Sequence, residues 1–218
     1  MIEKVLIFAL VRSGGSFVSQ TLSAGLPVLT EPPLPADGES LTINVQRLLD
    51  FHAASFQVAK LIRFKEYIDL AEDRRAQPPA ASRFFLFRHP YTQIASYLFT
   101  FCDWADNWAP RQSFHFALKA YREHWALFQR ASALWPPVGL LRYEDARGDG
   151  LEPFLASVYG KNAVSFLPFA KASARKNFRL GPVPGEGEWA PGAYELTPKE
   201  KYWVREALAD VMEALGYG

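Results

Sequence analysis

A three-layer α/β/α fold around a parallel sheet is predicted by three features of the sequence. Four short apolar runs, at residues 5–11, 56–62, 84–87 and 138–141, are separated by stretches with helical spacing. The first, Val5-Leu6-Ile7-Phe8-Ala9-Leu10-Val11, shows no polar alternation, which is how a strand buried on both faces reads. Helices between successive strands imply crossover connections, and these put helices on both faces of a parallel sheet. With 218 residues, the chain is expected to form one domain, residues 1–218, with a full core.

The elements follow in order. The first strand breaks at Arg12-Ser13-Gly14-Gly15-Ser16, and Phe17, Val18, Thr21 and Leu22 then recur at helical spacing. Gly25-Leu26-Pro27 ends that helix, and residues 30–39 read as a polar, proline-rich loop holding Glu31-Pro32-Pro33. A helix is predicted over about 41–53 and an amphipathic one over 65–75, the second closed by Gln77-Pro78-Pro79. Pro90 suits the first turn of a helix over about 91–101, because its missing N–H would have no intrahelical partner there. A Trp-rich loop at 102–111 precedes a long helix at 113–134, and a shorter helix is predicted near 151–159. Residues 169–195 hold many Gly and Pro and little periodicity, so they read as a long loop of the kind that carries function. In the last helix Thr197 caps, Pro198 takes the first position and Glu200 completes a capping box.

Composition narrows the function classes. A formal charge of +1 argues against a general nucleic-acid binder, so any anion site must come from local clustering. Cys102 is the only cysteine, which excludes an intrachain disulfide framework. The N-terminal apolar run is too short for a membrane span and has no cleavage site after it, so a cytoplasmic protein with no membrane partner is expected. No His/Cys/Asp cluster has metal-ligand spacing, and no metal is expected.

A buried strand, a small-residue turn and a helix start form an anion cradle. Glycine lets the backbone approach the ligand, and the amides of the helix's first turn face negative charge. Arg12 at the lip, with hydroxyls at Ser13 and Ser16, strengthens that reading over an ordinary strand-to-helix turn. The nucleoside-triphosphate loop G-x-x-x-x-G-K-S/T is not matched, because the cation stands before the glycines rather than after them. In an open parallel sheet the ligand lies beyond the carboxyl ends of the strands, which brings Arg12, Arg63, Arg88 and Arg142-Tyr143 to one edge.

Arg12-Ser13-Gly14-Gly15-Ser16-Phe17 resembles the 5′-phosphosulfate loop of the sulfotransferases that use 3′-phosphoadenosine-5′-phosphosulfate (PAPS). That loop runs Lys or Arg, a hydroxyl residue, Gly, a small residue, a hydroxyl residue and an apolar residue; Gly15 replaces a usual Ser or Thr. Arg88-His89-Pro90 followed by Ser96-Tyr97 is similar to the family's 3′-phosphate site, and Leu141-Arg142-Tyr143-Glu144-Asp145 to an element whose tyrosine lies by the adenine. The resemblance implies a P-loop-type α/β/α fold, PAPS as co-substrate and 3′,5′-diphosphoadenosine (PAP) as product. It implies cofactor contacts from Arg12, Ser13, Gly14, Gly15, Ser16, Phe17, Arg88, Ser96 and Tyr143. Phe17 either stacks on the adenine or packs in the core.

Sulfuryl transfer needs a base at the acceptor oxygen and positive charge where the leaving phosphate develops its own. Arg12 is the candidate for the second role. Lys60-Leu61-Ile62 stands where many family members have Lys-x-His, but it holds no His. The carbohydrate and tyrosyl-protein branch, with Arg-Ser-Gly, a helix and then Glu, resembles this chain better and implies Glu31 as base, with His52 or His89 as alternatives. Arg175, Lys176 or Arg179 would add charge over the cofactor, in a segment that resembles the family's Arg-Lys-Gly element before a Trp, with Trp189 farther along than usual. The acceptor is expected to be a small-molecule or carbohydrate hydroxyl compound. Two rivals stand beside this reading: a small kinase or nucleotide hydrolase, and a non-catalytic module that binds a phosphoadenosine ligand.

Overall fold

The structure, a computed structural model, describes residues 4–23, 28–30, 58–61, 65–73, 81–102, 110–163, 167–168, 170–171 and 195–218. Glu31, His52, Arg63, Arg175, Lys176 and Arg179 lie outside the described residues, as do the helix expected at 41–53 and nearly all of the long loop at 169–195.

Among the described residues five parallel strands form one sheet: β1 Val5–Ala9, β2 Val28–Thr30, β3 Val58–Leu61, β4 Ser82–Phe87 and β5 Val138–Arg142, in the spatial order β2-β3-β1-β4-β5. Among the described residues the helices are α1 Gly15–Ser23, α2 Lys65–Glu72, α3 Pro90–Cys102, α4 Pro110–Leu134, α5 Leu151–Tyr159 and α6 Pro198–Ala214. The expected α/β class is therefore observed, with one strand more than the four expected. The addition, β2, is a three-residue edge strand that pairs with β3 from Val28↔Val58 to Thr30↔Lys60. It takes the first residue of what reads in the sequence as a polar loop, and three residues are too few to show a period.

β1 explains the architecture. It is buried from end to end, and its side chains alternate between two cores. Leu6 and Phe8 pack with Ile68 of α2, Ile94 and Leu98 of α3, Tyr121 of α4 and Val204 and Leu208 of α6. Val5, Ile7 and Ala9 pack with Val18 and Leu22 of α1 and Phe154 and Leu155 of α5. A strand whose two faces are both covered has no need of polar alternation.

Local signals hold where they were strongest. Pro90 opens α3, α5 has the expected bounds, and Thr197 and Glu200 form the capping box of α6: Thr197 Oγ1 accepts from the Glu200 N–H at 3.3 Å and Glu200 Oε2 accepts from the Thr197 N–H at 2.7 Å. Among the described residues, no helix is long and apolar enough to cross a membrane.

β1 is flanked by β3 on one side and β4 on the other; the connection leaving β1 runs toward β2 and the one leaving β4 runs the opposite way toward β5, so the two part between β1 and β4. The crevice at the carboxyl end of such a central strand is where ligands of open α/β sheets are held.

Candidate functional site

The turn from β1 into α1 is built to bring backbone close to a ligand. The Ser13 N–H donates to the Leu10 carbonyl at 3.1 Å, closing a tight turn. Gly14 has φ +84°, a conformation open to glycine, and Arg12 has φ +66°, in the left-handed region that costs an ordinary residue roughly 1–2 kcal/mol. A non-glycine held there is a strain that marks functional turns. The first bond of α1 runs from the Val18 N–H to the Gly14 carbonyl at 3.0 Å, so the amides of residues 15–17 precede it at the positive end of the helix.

Each glycine has a neighbour in the space a side chain would need. A Cβ on Gly14 would lie 2.1 Å from the ring of Tyr143, and one on Gly15 would lie 2.9 Å from both Ala9 Cβ and Lys60 Cδ. The second contact explains the departure at Gly15: here the stem of Lys60 takes the place of a side chain. Lys60 is buried, 6% exposed, and its Nζ donates to Ser16 Oγ at 3.1 Å.

The loop, Lys60 and Arg88 together line a cavity of about 330 Å³. Cations converge at its mouth. Arg12 Nε donates to Ser96 Oγ at 3.1 Å, and Arg88 Nη1 donates to the Arg12 carbonyl at 3.3 Å. Arg88 lies over the Tyr143 ring, 4.8 Å from its centroid, and Arg147 over the same ring at 5.6 Å. Phe17 meets Tyr143 edge to face at 5.6 Å. Desolvation, and then the charge of Arg88, hold the Arg12 guanidinium below the ordinary arginine value. Arg88 is lowered too, first by desolvation, with Arg147 adding repulsion while Tyr143 and Glu144 pull the other way. Such a cluster gains stability when an anion enters.

The polar atoms of the cradle bear on its fit to a phosphate-bearing ligand. Among the described residues, Ser13 Oγ and Arg88 Nε are buried without a hydrogen-bond partner. A buried donor left unpaired is costly; Arg88 lines the cavity, where an anion's oxygens would satisfy its Nε, whereas Ser13 is fully buried and is not among the lining residues. The residues present therefore fit such a group.

The structure brings together Arg12, Ser13, Gly14, Gly15, Ser16, Phe17, Arg88, Ser96 and Tyr143. The link between Arg88 and Ser96 runs through Arg12, which bonds to both. Arg142, expected at the mouth, is instead held by Asp145 in a two-pronged pair at 2.8 and 2.9 Å, because a carboxylate three residues on lies within its reach. Lys60 and Arg147 were not expected as site residues. For Lys60 a signal existed, a lysine inside the apolar run of a buried strand; for Arg147 there was none.

His89 and His124 have structural surroundings. His89 Nδ1 accepts from the Tyr91 N–H at 3.2 Å, capping α3, and desolvation lowers its pKa against the pull of Glu144. His124 Nε2 donates to the Leu86 carbonyl at 3.1 Å, and full burial brings its pKa down to about 4. Among the described residues, no group of three or more His, Cys, Asp and Glu is placed to hold a metal ion.

No family model matches the sequence, and no curated protein matches it. Solved structures do. Mouse sulfotransferase SULT7A1 complexed with PAP superposes with a TM-score of 0.60 at 11% identity, covering 97% of this chain and 84% of that one. A sulfotransferase from Alicyclobacillus acidocaldarius gives 0.54 at 15% identity, covering 99% of this chain and 96% of that one. The three-layer α/β/α fold of this chain is thus the one that these sulfotransferases share.

Proposed function

We propose that the chain is a single-domain sulfotransferase that moves a sulfuryl group from PAPS to a hydroxyl of a small-molecule or carbohydrate acceptor, without a metal. The observation that carries this reading is the cation-led glycine turn at the carboxyl end of β1, with Arg88, Ser96 and Tyr143 gathered at its mouth. The structural neighbours support it, one of them a PAP complex.

PAPS supplies an activated sulfuryl group whose sulfur–oxygen bond to the 5′-phosphate breaks as the acceptor oxygen bonds to sulfur. The chain's residues do the rest. Amides 15–17 and Ser13 hold the 5′-phosphosulfate, while Arg12 and Lys60 meet the charge that grows on the departing phosphate oxygen. Arg88 and Ser96 take the 3′-phosphate, which planar, fork-shaped guanidinium recognition suits. Tyr143 borders the adenine, with Phe17 beside it. Glu31, as in the carbohydrate and tyrosyl-protein branch, receives the acceptor's proton, and one of Arg175, Lys176 and Arg179 adds charge over the cofactor.

Two substitutions test the reading through release of PAP in the presence of PAPS and a panel of hydroxyl acceptors. Glu31→Gln keeps size and hydrogen bonding but removes the base, so PAP binding should survive while turnover falls by roughly 10²–10⁴. Arg12→Ala should damage both. Normal turnover by Glu31→Gln moves the base to His52 or His89; no turnover by the native chain, with PAP bound, favours a non-catalytic phosphoadenosine-binding module.

A further inference from the structure

We infer that Tyr217, acting through Glu144, is a positioning residue for Arg88, which makes the turn after α6 part of the anion site. The inference rests on the reading of Arg88 as a ligand of the 3′-phosphate.

The peptide unit between Arg88 and His89 is held at both of its polar atoms. Tyr121 Oη donates to the Arg88 carbonyl at 2.8 Å, and the His89 N–H donates to Glu144 Oε1 at 2.9 Å. A peptide unit is planar, so bonds on its two opposite edges fix its rotation and, through it, the backbone from which the Arg88 side chain springs. Tyr121 is buried in the core and has little freedom. Glu144 is exposed, and an exposed glutamate left to itself samples several rotamers.

Tyr217 selects the one that reaches His89. Its hydroxyl donates to Glu144 Oε2 at 2.7 Å, leaving Oε1 for the His89 amide. Tyr217 is itself located from several sides. Its ring lies 4.9 Å from that of His89 and 5.8 Å from the Arg142 guanidinium, which Asp145 anchors. Its N–H donates to the Met212 carbonyl at 2.8 Å, after a turn made at Gly216 with φ +72°. One carboxylate thus ties the end of α6 to the residue that follows Arg88.

The test is calorimetric titration of the full chain with PAP and with 5′-AMP, which differ at the 3′-phosphate. Tyr217→Phe keeps both ring contacts and removes the bond to Glu144. It is expected to weaken PAP about fivefold and 5′-AMP less than about twofold, at an unchanged melting temperature. In an Arg88→Ala background the same change should have no further effect on PAP, since there is no guanidinium left to position. Glu144→Gln, which still offers an oxygen to the His89 amide, should lose less than Glu144→Ala. Equal weakening of both ligands, or a fivefold loss that persists in the Arg88→Ala background, overturns the inference. A native chain that binds PAP no better than 5′-AMP overturns the reading of Arg88 and the inference with it, whereas a native preference for PAP that Tyr217→Phe leaves undiminished overturns the inference alone.

Discussion

Lys60 Nζ donates to Ser16 Oγ at 3.1 Å, tying a buried strand residue of β3 to the first turn of α1. A buried ammonium is costly to stability unless strongly compensated, and an apolar residue of similar volume is often as stable or more so. Lys60→Met should therefore leave the melting temperature unchanged or raise it. If Lys60 faces the sulfuryl donor, the same change should weaken PAP by roughly tenfold or more, the scale of a lost charge-assisted bond. A lower melting temperature with unaltered PAP affinity would make Lys60 a structural residue.

The two glycines should fail for different reasons. Gly14→Ala asks for a left-handed φ and a Cβ inside the Tyr143 ring, whereas Gly15→Ser meets Ala9 and the flexible stem of Lys60. Both are overpacking, which costs about 1–3 kcal/mol, and Gly14→Ala adds backbone strain on top. Pairing Gly15→Ser with Lys60→Ala should recover part of the lost melting temperature, because the stem is gone while the contact with Ala9 Cβ stays. Pairing Gly14→Ala with Tyr143→Ala removes the ring but leaves the left-handed φ, so its recovery should also be incomplete. Full recovery by the Gly14 pair would show that the φ of Gly14 carries no strain.

Acid should weaken the fold before carboxylates titrate. His124 falls from 6.5 to about 4 on folding because the buried ring must stay neutral. The unfolded chain then binds more protons, so this residue's stability is present above pH 6.5 and is lost as pH falls toward 4, at about 1.4 kcal/mol per unit. His89, also lowered, acts with the same sign. Urea midpoints measured between pH 7 and 5 should fall in the native chain and fall distinctly less in His124→Phe. Parallel slopes would place the acid sensitivity elsewhere.

How much of this was legible depends on how far each signal reaches along the chain. β1 and the capping box of α6 were readable because their causes are local: continuous burial in one, and residues three apart in the other. β2 was not, since three residues on an edge carry no period. The motif residues at Arg12, Arg88 and Tyr143 were legible as strand ends, yet their order of contact was not: Arg12 stands between Arg88 and Ser96 because of a left-handed turn invisible in composition. Arg142 was overread, its carboxylate partner lying only three positions on. Tyr217 had no local signal at all, because its partner is brought to it by the packing of α6 against α3 and α4.

The most direct measurement is the affinity of the purified chain for PAP, set beside 5′-AMP and ATP with magnesium, in the native chain and in Arg88→Ala. The account predicts that the native chain prefers PAP to both, by at least about tenfold over 5′-AMP, and that Arg88→Ala abolishes the preference while sparing 5′-AMP, since a charge-assisted contact contributes about 1.5–3 kcal/mol. Tighter binding of ATP with magnesium, or a PAP affinity that Arg88→Ala leaves intact, would contradict it.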